Sequence, residues 1–88
     1  MKVERKGDWL SARVGDELVM MSAASGYYIG LSEVGARIWE LIAEPMELDE
    51  LCAQLGREFD VLPQTCRAEV RAFLDDLAAQ QAAALDPA

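Results

Sequence analysis

The sequence predicts a small α+β domain in which a three-stranded antiparallel sheet is followed by three helices, in a winged helix-turn-helix-like arrangement. The apolar residues change from a period of two to a period of about 3.6 at residue 32. A chain of 88 residues encloses only one apolar core, and its 52% apolar and 27% charged residues are typical of a globular protein. We therefore expect a single domain over residues 1–88, with its core over about residues 9–80.

The first predicted strand covers residues 9–14. Its apolar residues Leu10, Ala12 and Val14 alternate with polar ones, so that they lie on one side of an extended chain. Such alternation is typical of a strand that buries one face and leaves the other in water. We expect this strand to be half-buried.

Two further strands follow through short turns. The Gly-Asp pair at residues 15–16 suits a two-residue hairpin turn, after which residues 17–22 contain the β-compatible run Leu-Val-Met-Met. A loop of small residues then leads to the aromatic and branched stretch at residues 27–31. The three strands form a meander in which the first and third strands are edges.

Three helices are predicted after the sheet. The first has Ser32 as its N-cap and ends before Pro45. The second covers about residues 47–59, where leucines, a cysteine and a phenylalanine form one apolar stripe. The third begins with Pro63 at its first position and ends in the alanine-rich tail.

The composition excludes several classes of function. Eight basic and sixteen acidic residues give a formal net charge of −8, which repels phosphate backbones and anionic lipid headgroups. The chain has no histidine, so imidazole-based catalysis and the usual histidine metal sites are excluded. We therefore expect a protein without catalytic activity, metal or cofactor, which binds neither nucleic acid nor membranes.

The same composition indicates a cytoplasmic protein. The longest apolar run, at residues 82–85, is too short to cross a membrane. Cys52 and Cys66 lack the CxxC spacing, and each occupies an apolar position of a predicted helix. We expect both to be buried thiols in a reducing compartment rather than a disulfide.

The third predicted strand is the most informative element for function. Its outer edge presents backbone N–H and C=O groups that a peptide completes by adding a further strand. Tyr28 and Gly30 lie on one side of this strand, and Tyr27, Ile29 and Leu31 lie on the other. A tyrosine beside a glycine that admits another backbone is compatible with a peptide-binding edge. The alternative is that both tyrosines only form a strand of a small core.

The stretch GYYIGLSEVGARIWEL at residues 26–41 resembles the signature of the PqqD-like family. Residues 48–51, 59–61 and 70–77 resemble the second and third helices of that family in order and spacing. Members of the family are recognition elements for the leader segments of ribosomally synthesised, post-translationally modified peptides (RiPPs). The resemblance implies that the chain binds such a leader, without catalysis, as an additional antiparallel strand on the third predicted strand.

In this family the leader lies in a groove between the third strand and the third helix. The resemblance therefore implies a binding site formed by Tyr27, Tyr28, Ile29, Gly30, Leu31, Val70, Phe73, Leu74 and Leu77. It also offers Arg67 and Arg71 as candidates for contacts with leader carboxylates at the rim of the groove. Because the apolar residues of the third helix must also build the core, each of them is either a binding residue or a structural one.

The length of the chain and its stretch at residues 43–51 resemble most closely the separate leader-binding subunit of lasso-peptide systems. The implied partners are a precursor leader and the leader protease or another modifying enzyme of the pathway. One alternative is a peptide chaperone of pyrroloquinoline quinone (PQQ) biosynthesis. Another is a winged-helix DNA-binding regulator, against which the third helix argues because it has only two arginines beside three acidic residues.

The chain departs from the family pattern at the ends of the helices. Glu47 and Leu62 stand where capping residues are usual, so the second and third helices are expected to start loosely. Gln-Ala-Ala at residues 81–83 replaces a common Gly-Leu closure, so the tail is expected to continue as a helix or to fray.

Trp39 is expected to pack in the core or against a domain partner. The acidic band at residues 33–60 is expected to be a solvated face or a dock for a basic enzyme.

Overall fold

The computed structural model describes residues 1–60 and 63–86. Within these residues the α+β prediction is confirmed, with antiparallel sheets and three helices. The elements along the chain are β1 (Lys2–Arg5), β2 (Trp9–Val14), β3 (Glu17–Ser22), β4 (Tyr28–Leu31), α1 (Glu33–Leu41), β5 (Met46–Glu47), α2 (Leu48–Glu58), α3 (Pro63–Ala79) and β6 (Ala83–Asp86).

The strands β2, β3 and β4 form the predicted antiparallel meander. A G1 bulge connects β3 to β4, because the Gly26 N–H donates to the Ser22 carbonyl and the Ser22 N–H donates to the Tyr27 carbonyl, both at 2.9 Å. Gly26 has the left-handed φ of 76° that this bulge requires. The bulge fixes the register of β4 against β3.

The prediction that β2 is half-buried is wrong. Leu10 and Val14 are 61% and 62% exposed, and Ala12 between them is exposed as well. The side of the sheet that faces the core is set by Leu18 and Met20 of β3, both buried, together with the buried residues of β4. The register of β2 against β3 places the polar side chains of β2 on this core-facing side of the sheet. The apolar alternation of β2 therefore faces outwards, because side-chain direction follows the neighbouring strand.

A second three-stranded sheet, in the order β5-β1-β6, was not predicted. Its central strand β1 carries a single apolar residue, Val3, which is fully buried. The prediction that the tail continues as a helix or frays is wrong for Ala83–Asp86, because this segment pairs with β1 as β6. Val3, Ala82 and Ala83 are buried core residues outside the expected range 9–80.

The helix α3 ends in a Schellman motif although no glycine closes it. The N–H of Ala82 donates to the carbonyl of Leu77 at 2.8 Å, which is the bond that defines the motif. Gln81 occupies the left-handed position, with φ 62°, which glycine adopts with less strain. This closure turns the chain back towards β1 and brings the Gln81 carbonyl within 3.5 Å of the indole nitrogen of Trp9.

The N-termini of α1 and α2 satisfy their free backbone N–H groups in two different ways. Ser32 caps α1 as predicted, with its hydroxyl accepting an N–H of the first turn at 3.5 Å. The absence of a side-chain cap at Glu47 is confirmed, and the Leu48 N–H donates instead to the carbonyl of Met1 at 2.9 Å. The prediction for Leu62 lies outside the described residues.

As far as the chain is described, none of its helices combines the length and apolar character of a membrane span.

Trp39 packs in the core, as one of the two sequence interpretations expects, and is almost fully buried. The Arg5 guanidinium lies over its ring, 4.5 Å from the ring centroid, and Arg5 Nε donates to the Trp39 carbonyl at 2.8 Å. Burial lowers the pKa of Arg5, an effect that the nearby Glu40 opposes. The strand β1 therefore covers this end of α1, a contact that the sequence pattern did not indicate.

Two helix glycines give a matched test of packing. Gly56→Ala in α2 is expected to raise the free energy of unfolding by about 0.5–1 kcal/mol through helix propensity, since beyond its chain neighbours and the backbone of its own helix no described heavy atom lies within 4 Å of the added Cβ. Gly35→Ala in α1 is expected to show no such gain, because its Cβ would lie 3.1 Å from the Phe73 ring. Urea unfolding of both variants measures the difference, and equal stabilisation would contradict the packing argument.

Candidate functional site

The outer edge of β4 is the candidate binding edge. In the part of the chain that the structure describes, β4 pairs with β3 on one side and no strand pairs with its other side. In an antiparallel ladder, alternate residues direct both backbone groups to the same neighbour. Because Tyr27 bonds to β3 through the bulge, Ile29 and Leu31 also bond to β3. The N–H and C=O groups of Tyr28 and Gly30 therefore point towards the open edge.

The side chains of β4 divide between the two faces of the sheet. Ile29 and Leu31 are buried in the core, whereas Tyr28 is 71% exposed. A Cβ at Gly30 would have no described neighbour within 4 Å, so the outer face is open there. The predicted division of β4 into two sides is thus confirmed for these four residues. Tyr27, which precedes the strand, is 73% exposed.

A cavity of about 310 Å³ lies between α1, α2 and α3, at the end of β4 marked by Leu31. Its walls are mostly apolar, and its volume accommodates an apolar side chain. We call it the apolar cavity, and it is lined by Ser32, Val34, Gly35, Ile38, Leu55, Phe59, Cys66, Glu69, Val70 and Phe73.

The contact between Gly35 and Phe73 positions α3 beside β4. A Cβ at Gly35 would lie 3.1 Å from Cε1 of Phe73 and 3.4 Å from Cβ of Leu31. Because glycine has no Cβ, the Phe73 ring packs directly on α1 at the end of β4. Phe73 remains half-buried and lines the apolar cavity. This packing explains why the signature stretch has a glycine inside a helix.

The residues of α3 implied by the family resemblance fall into two groups. Val70 and Phe73 line the apolar cavity. Leu74 and Leu77 are 0% and 1% exposed, lie in the core, and are not among the described residues that line this cavity. The structure therefore brings Val70 and Phe73 together with the end of β4, while Leu74 and Leu77 act as core residues.

Both arginines of α3 already have carboxylate partners. Arg67 forms an ion pair with Asp49 of α2, and Arg71 Nε lies 3.3 Å from Asp75 Oδ1 one turn further along α3. Arg67 also lines a separate pocket near the N-terminus of α2. The structure thus places Arg67 away from the apolar cavity, and both pairs are exposed to solvent.

Sequence reasoning missed the walls that α1 and α2 contribute to this cavity. Val34 and Phe59 line it, and Glu69 is the only charged residue among the described lining residues. Gly35 partly indicated the cavity wall of α1, since a glycine inside a helical pattern often marks the close approach of a neighbouring element. The sequence around Phe59 did not indicate that this residue lines the cavity, because its position there depends on how α2 packs on α3.

A bidentate ion pair braces α1 against α2 beside the apolar cavity. Arg37 Nε and Nη2 donate to the two carboxylate oxygens of Glu58 at 2.6 and 2.8 Å. Gln54 Nε2 also donates to Glu58, at 2.6 Å. The bonds from Arg37, followed by that from Gln54, lower the pKa of Glu58 to about 2. Part of the predicted acidic band is therefore paired rather than free.

The two cysteines are free thiols at the contact between α2 and α3. Cys66 is buried and lines the apolar cavity, and Cys52 is half-buried. Burial, followed by the neighbouring Cys66, raises the pKa of Cys52, which favours the unreactive thiol form. Among the described residues, no group of three or more His, Cys, Asp or Glu side chains is placed to hold a metal ion.

The model of the family described as coenzyme PQQ synthesis protein D (PqqD) matches residues 17–82 of this chain. The match covers most of the chain, including β3, β4 with its open edge, and all three helices. The chain therefore belongs to the PqqD family, as the resemblance of its signature stretch implied.

Two solved structures have the same fold. One is TbiB1 in complex with the TbiA(beta) leader peptide, which is 31% identical, with 90% of this chain and 93% of that chain covered and a TM-score of 0.79. The other is lasso peptide synthetase B1 complexed with the leader peptide, with 17% identity, coverage of 94% and 98%, and a TM-score of 0.81. At 17% identity the second likeness concerns the fold alone. No curated protein matches the chain significantly.

Substitutions at Leu74 and Tyr28 are expected to separate core residues from edge residues. Leu74→Ala removes a fully buried side chain and should lower the free energy of unfolding by about 2–5 kcal/mol. Tyr28→Ala should lower it by less than about 1 kcal/mol, since that side chain is exposed. Urea unfolding monitored by far-UV circular dichroism measures both values. Similar losses in the two variants would contradict the division.

Acidification is expected to weaken the brace between Arg37 and Glu58. The pKa of Glu58 in the folded chain, about 2, lies below its ordinary value of 4.5. Ionised Glu58 therefore stabilises the folded chain above pH 4.5, and this contribution is lost as the pH falls towards 2. The effect should be small, because the pair is partly exposed to solvent.

The measurement is the free energy of unfolding as a function of pH across this interval. Glu58→Gln should flatten the dependence, and Glu44→Gln, which removes a carboxylate outside the brace, should leave the slope as it is. An unchanged slope in Glu58→Gln would show that the brace does not contribute.

Proposed function

We propose that this chain is a RiPP recognition element that binds the leader segment of a precursor peptide in a lasso-peptide pathway and catalyses no reaction itself. The observation that carries the proposal is the open edge of β4, where Tyr28 and Gly30 direct their backbone groups outwards beside the apolar cavity. The 31% identity to TbiB1, which was solved with a leader peptide, supports it.

The leader adds to β4 as an antiparallel strand. Tyr28 and Gly30 offer it two N–H donors and two C=O acceptors. Each backbone hydrogen bond contributes about 0.5–1.5 kcal/mol net, so the four together contribute about 2–6 kcal/mol. This attraction does not depend on the leader sequence. Gly30 has no side chain, so the added backbone approaches the edge without obstruction.

The direction of the hydrogen bonds fixes which leader side chains face the protein. We number the leader residue opposite Leu31 as p, so that in an antiparallel strand p+2 lies opposite Ile29 and p+4 opposite Tyr27. Residues p+1 and p+3 bond to Gly30 and Tyr28, and their side chains share the outer face with Tyr28. The side chains of p, p+2 and p+4 point towards α3, and p enters the apolar cavity.

Specificity comes from the side chains at p and p+2. An apolar side chain buried at p contributes about 1.5–3 kcal/mol, and the contribution at p+2 depends on the space beside Ile29. Ordering a flexible leader costs about 2–5 kcal/mol. At the favourable ends of these ranges the balance is about 7 kcal/mol, which corresponds to an affinity of about ten micromolar, and a well-buried side chain at p+2 takes it to tens of nanomolar. Backbone pairing therefore holds the leader, and the cavity selects it.

A second partner is the leader protease or another modifying enzyme of the pathway, and we propose that the encounter takes place in the cytoplasm. The net charge of −8 supports a partner with a basic surface. A peptide chaperone of PQQ biosynthesis is the second candidate function, which the description of the matching family favours. The resemblance of residues 43–51 to the separate leader-binding subunit of lasso-peptide systems favours the lasso-peptide pathway.

For the architecture, we propose that the three helices and the β2–β3 hairpin correspond to a winged helix-turn-helix-like arrangement. This arrangement does not lead us to propose DNA binding. Arg67 and Arg71 of α3 each pair with an aspartate, so the described part of this helix presents no cationic stripe to a phosphate backbone.

The direct test is a titration with synthetic peptides that cover the N-terminal parts of short reading frames next to the gene of this chain. Backbone amide signals of the ¹⁵N-labelled protein report where a peptide binds. The largest shifts are expected at Tyr28 and Gly30, with smaller shifts at Val34, Gly35 and Phe73. Binding that leaves the β4 amides unperturbed would contradict strand addition.

Gly30→Pro is expected to weaken leader binding by about tenfold or more, because proline removes an outward N–H donor and its ring blocks the approaching backbone. The fold should survive, since the Gly30 N–H does not bond to β3. Gly30→Ala is the matched control, because it keeps the donor and its Cβ meets no described atom within 4 Å.

Isothermal titration calorimetry gives the affinities, and circular dichroism confirms that each variant is folded. Full affinity in a folded Gly30→Pro variant would refute the assignment of this edge.

A further inference from the structure

A second cavity, of about 550 Å³, lies at the other end of β4. The loop after β1, the turn between β3 and β4, and the C-terminal end of α3 form its walls. Trp9 and Tyr27 supply two aromatic side chains, and Asp8 supplies a carboxylate. We call it the Trp9 cavity. Strand addition to β4 does not require this cavity.

The Trp9 cavity has a defined wall. Gly7 has a left-handed φ of 83°, and a Cβ there would lie 3.1 Å from both the Gln81 carbonyl oxygen and Trp9 Nε1. Only glycine therefore fits between the indole and the end of α3. The indole N–H points at the Gln81 carbonyl at 3.5 Å, which orients the ring. The half-buried Trp9 thus forms a fixed aromatic surface, while Tyr27 stays exposed.

The chemistry of these walls favours a cation. Aromatic faces attract ammonium and guanidinium groups, and a nearby carboxylate adds to this attraction. Asp8 is the only charged residue among the described residues that line the cavity. The neighbouring Lys6 is not a lining residue, and its ammonium is already held by Gln81 Oε1 at 3.0 Å. The chain as a whole carries a net charge of −8, which also attracts basic groups.

The position of the cavity connects it to the leader. Because β4 runs from Tyr27 to Leu31, an antiparallel leader enters at the apolar cavity and leaves at the Trp9 cavity. The two inward positions at these ends, p and p+4, are about 13 Å apart in an extended strand. The residue at p+4 lies beside Tyr27, whose side chain lines the Trp9 cavity.

We propose that the Trp9 cavity is a second leader subsite, which binds an arginine or lysine side chain four residues after the apolar anchor. The location of this subsite on the leader rests on the proposed function, because the register follows from strand addition to β4. The pattern selected by the chain is therefore an apolar residue at p and a basic residue at p+4.

The subsite is first tested without any leader. N-acetyl-arginine N-methylamide is titrated into the labelled protein, and the indole N–H signal of Trp9 is followed. The norleucine and glutamate N-methylamides are the matched compounds, and the indole signal of the buried Trp39 is an internal reference. The arginine compound should shift the Trp9 signal and leave Trp39 unchanged. An equal response to norleucine, or no response at Trp9, would overturn the subsite.

A pair of charge-matched variants tests the carboxylate. Asp8→Asn should weaken binding of the arginine compound by about three- to tenfold. Asp16→Asn removes the same charge at the tip of the β2–β3 hairpin, outside the described lining of this cavity, and should have no comparable effect. Equal losses in both variants would show that only net charge matters, which would overturn the role of Asp8.

The position of the subsite on the leader is tested with a leader that binds the open edge. Three versions of this leader carry arginine, leucine or glutamate at p+4. The arginine version should bind about three- to tenfold more tightly than the leucine version, and Asp8→Asn should reduce this advantage. Equal affinities would overturn the leader subsite and leave strand addition intact. A Trp9 response to the arginine compound without binding of any leader would instead overturn the proposed function.

Discussion

The bulge between β3 and β4 is the constraint on which the site depends. Gly26 adopts a left-handed conformation, and the two hydrogen bonds between Ser22 and residues 26–27 lock β4 in one register. A slip of one residue would turn the backbone groups of Tyr28 and Gly30 inwards and expose the core residues of β4. The same local geometry therefore decides both which side chains build the core and which backbone groups stay available to a peptide.

The helix α3 serves the core and the site with neighbouring residues. Its fully buried leucines, Leu74 and Leu77, anchor it in the core, while Phe73 lines the apolar cavity and packs on Gly35 of α1. Adjacent helical residues point about 100° apart, so one helix supplies both surfaces. Because the same helix also forms part of the Trp9 cavity at its C-terminal end, its position shapes both cavities.

Much of the site could be anticipated from the sequence, because it depends on local periodicity. The alternation along β4 separates Tyr28 and Gly30 from the buried Ile29 and Leu31, and it does so in the structure. The remainder required contacts between distant segments. Phe59 reaches the apolar cavity only because α2 packs on α3, and the Trp9 cavity exists only because the end of α3 meets the loop after β1.

The sequence by itself determined the β2–β4 meander, the three helices, the cap at Ser32 and the family, since each of these depends on residues close in the chain. Only the tertiary structure decided the second sheet, because β1 carries a single apolar residue and β6 lies in an alanine-rich tail whose pattern does not indicate a strand. It also decided that Leu10 and Val14 face water. The reason is physical: a strand's pattern shows that two faces differ, but the burial of its neighbours decides which face turns to the core.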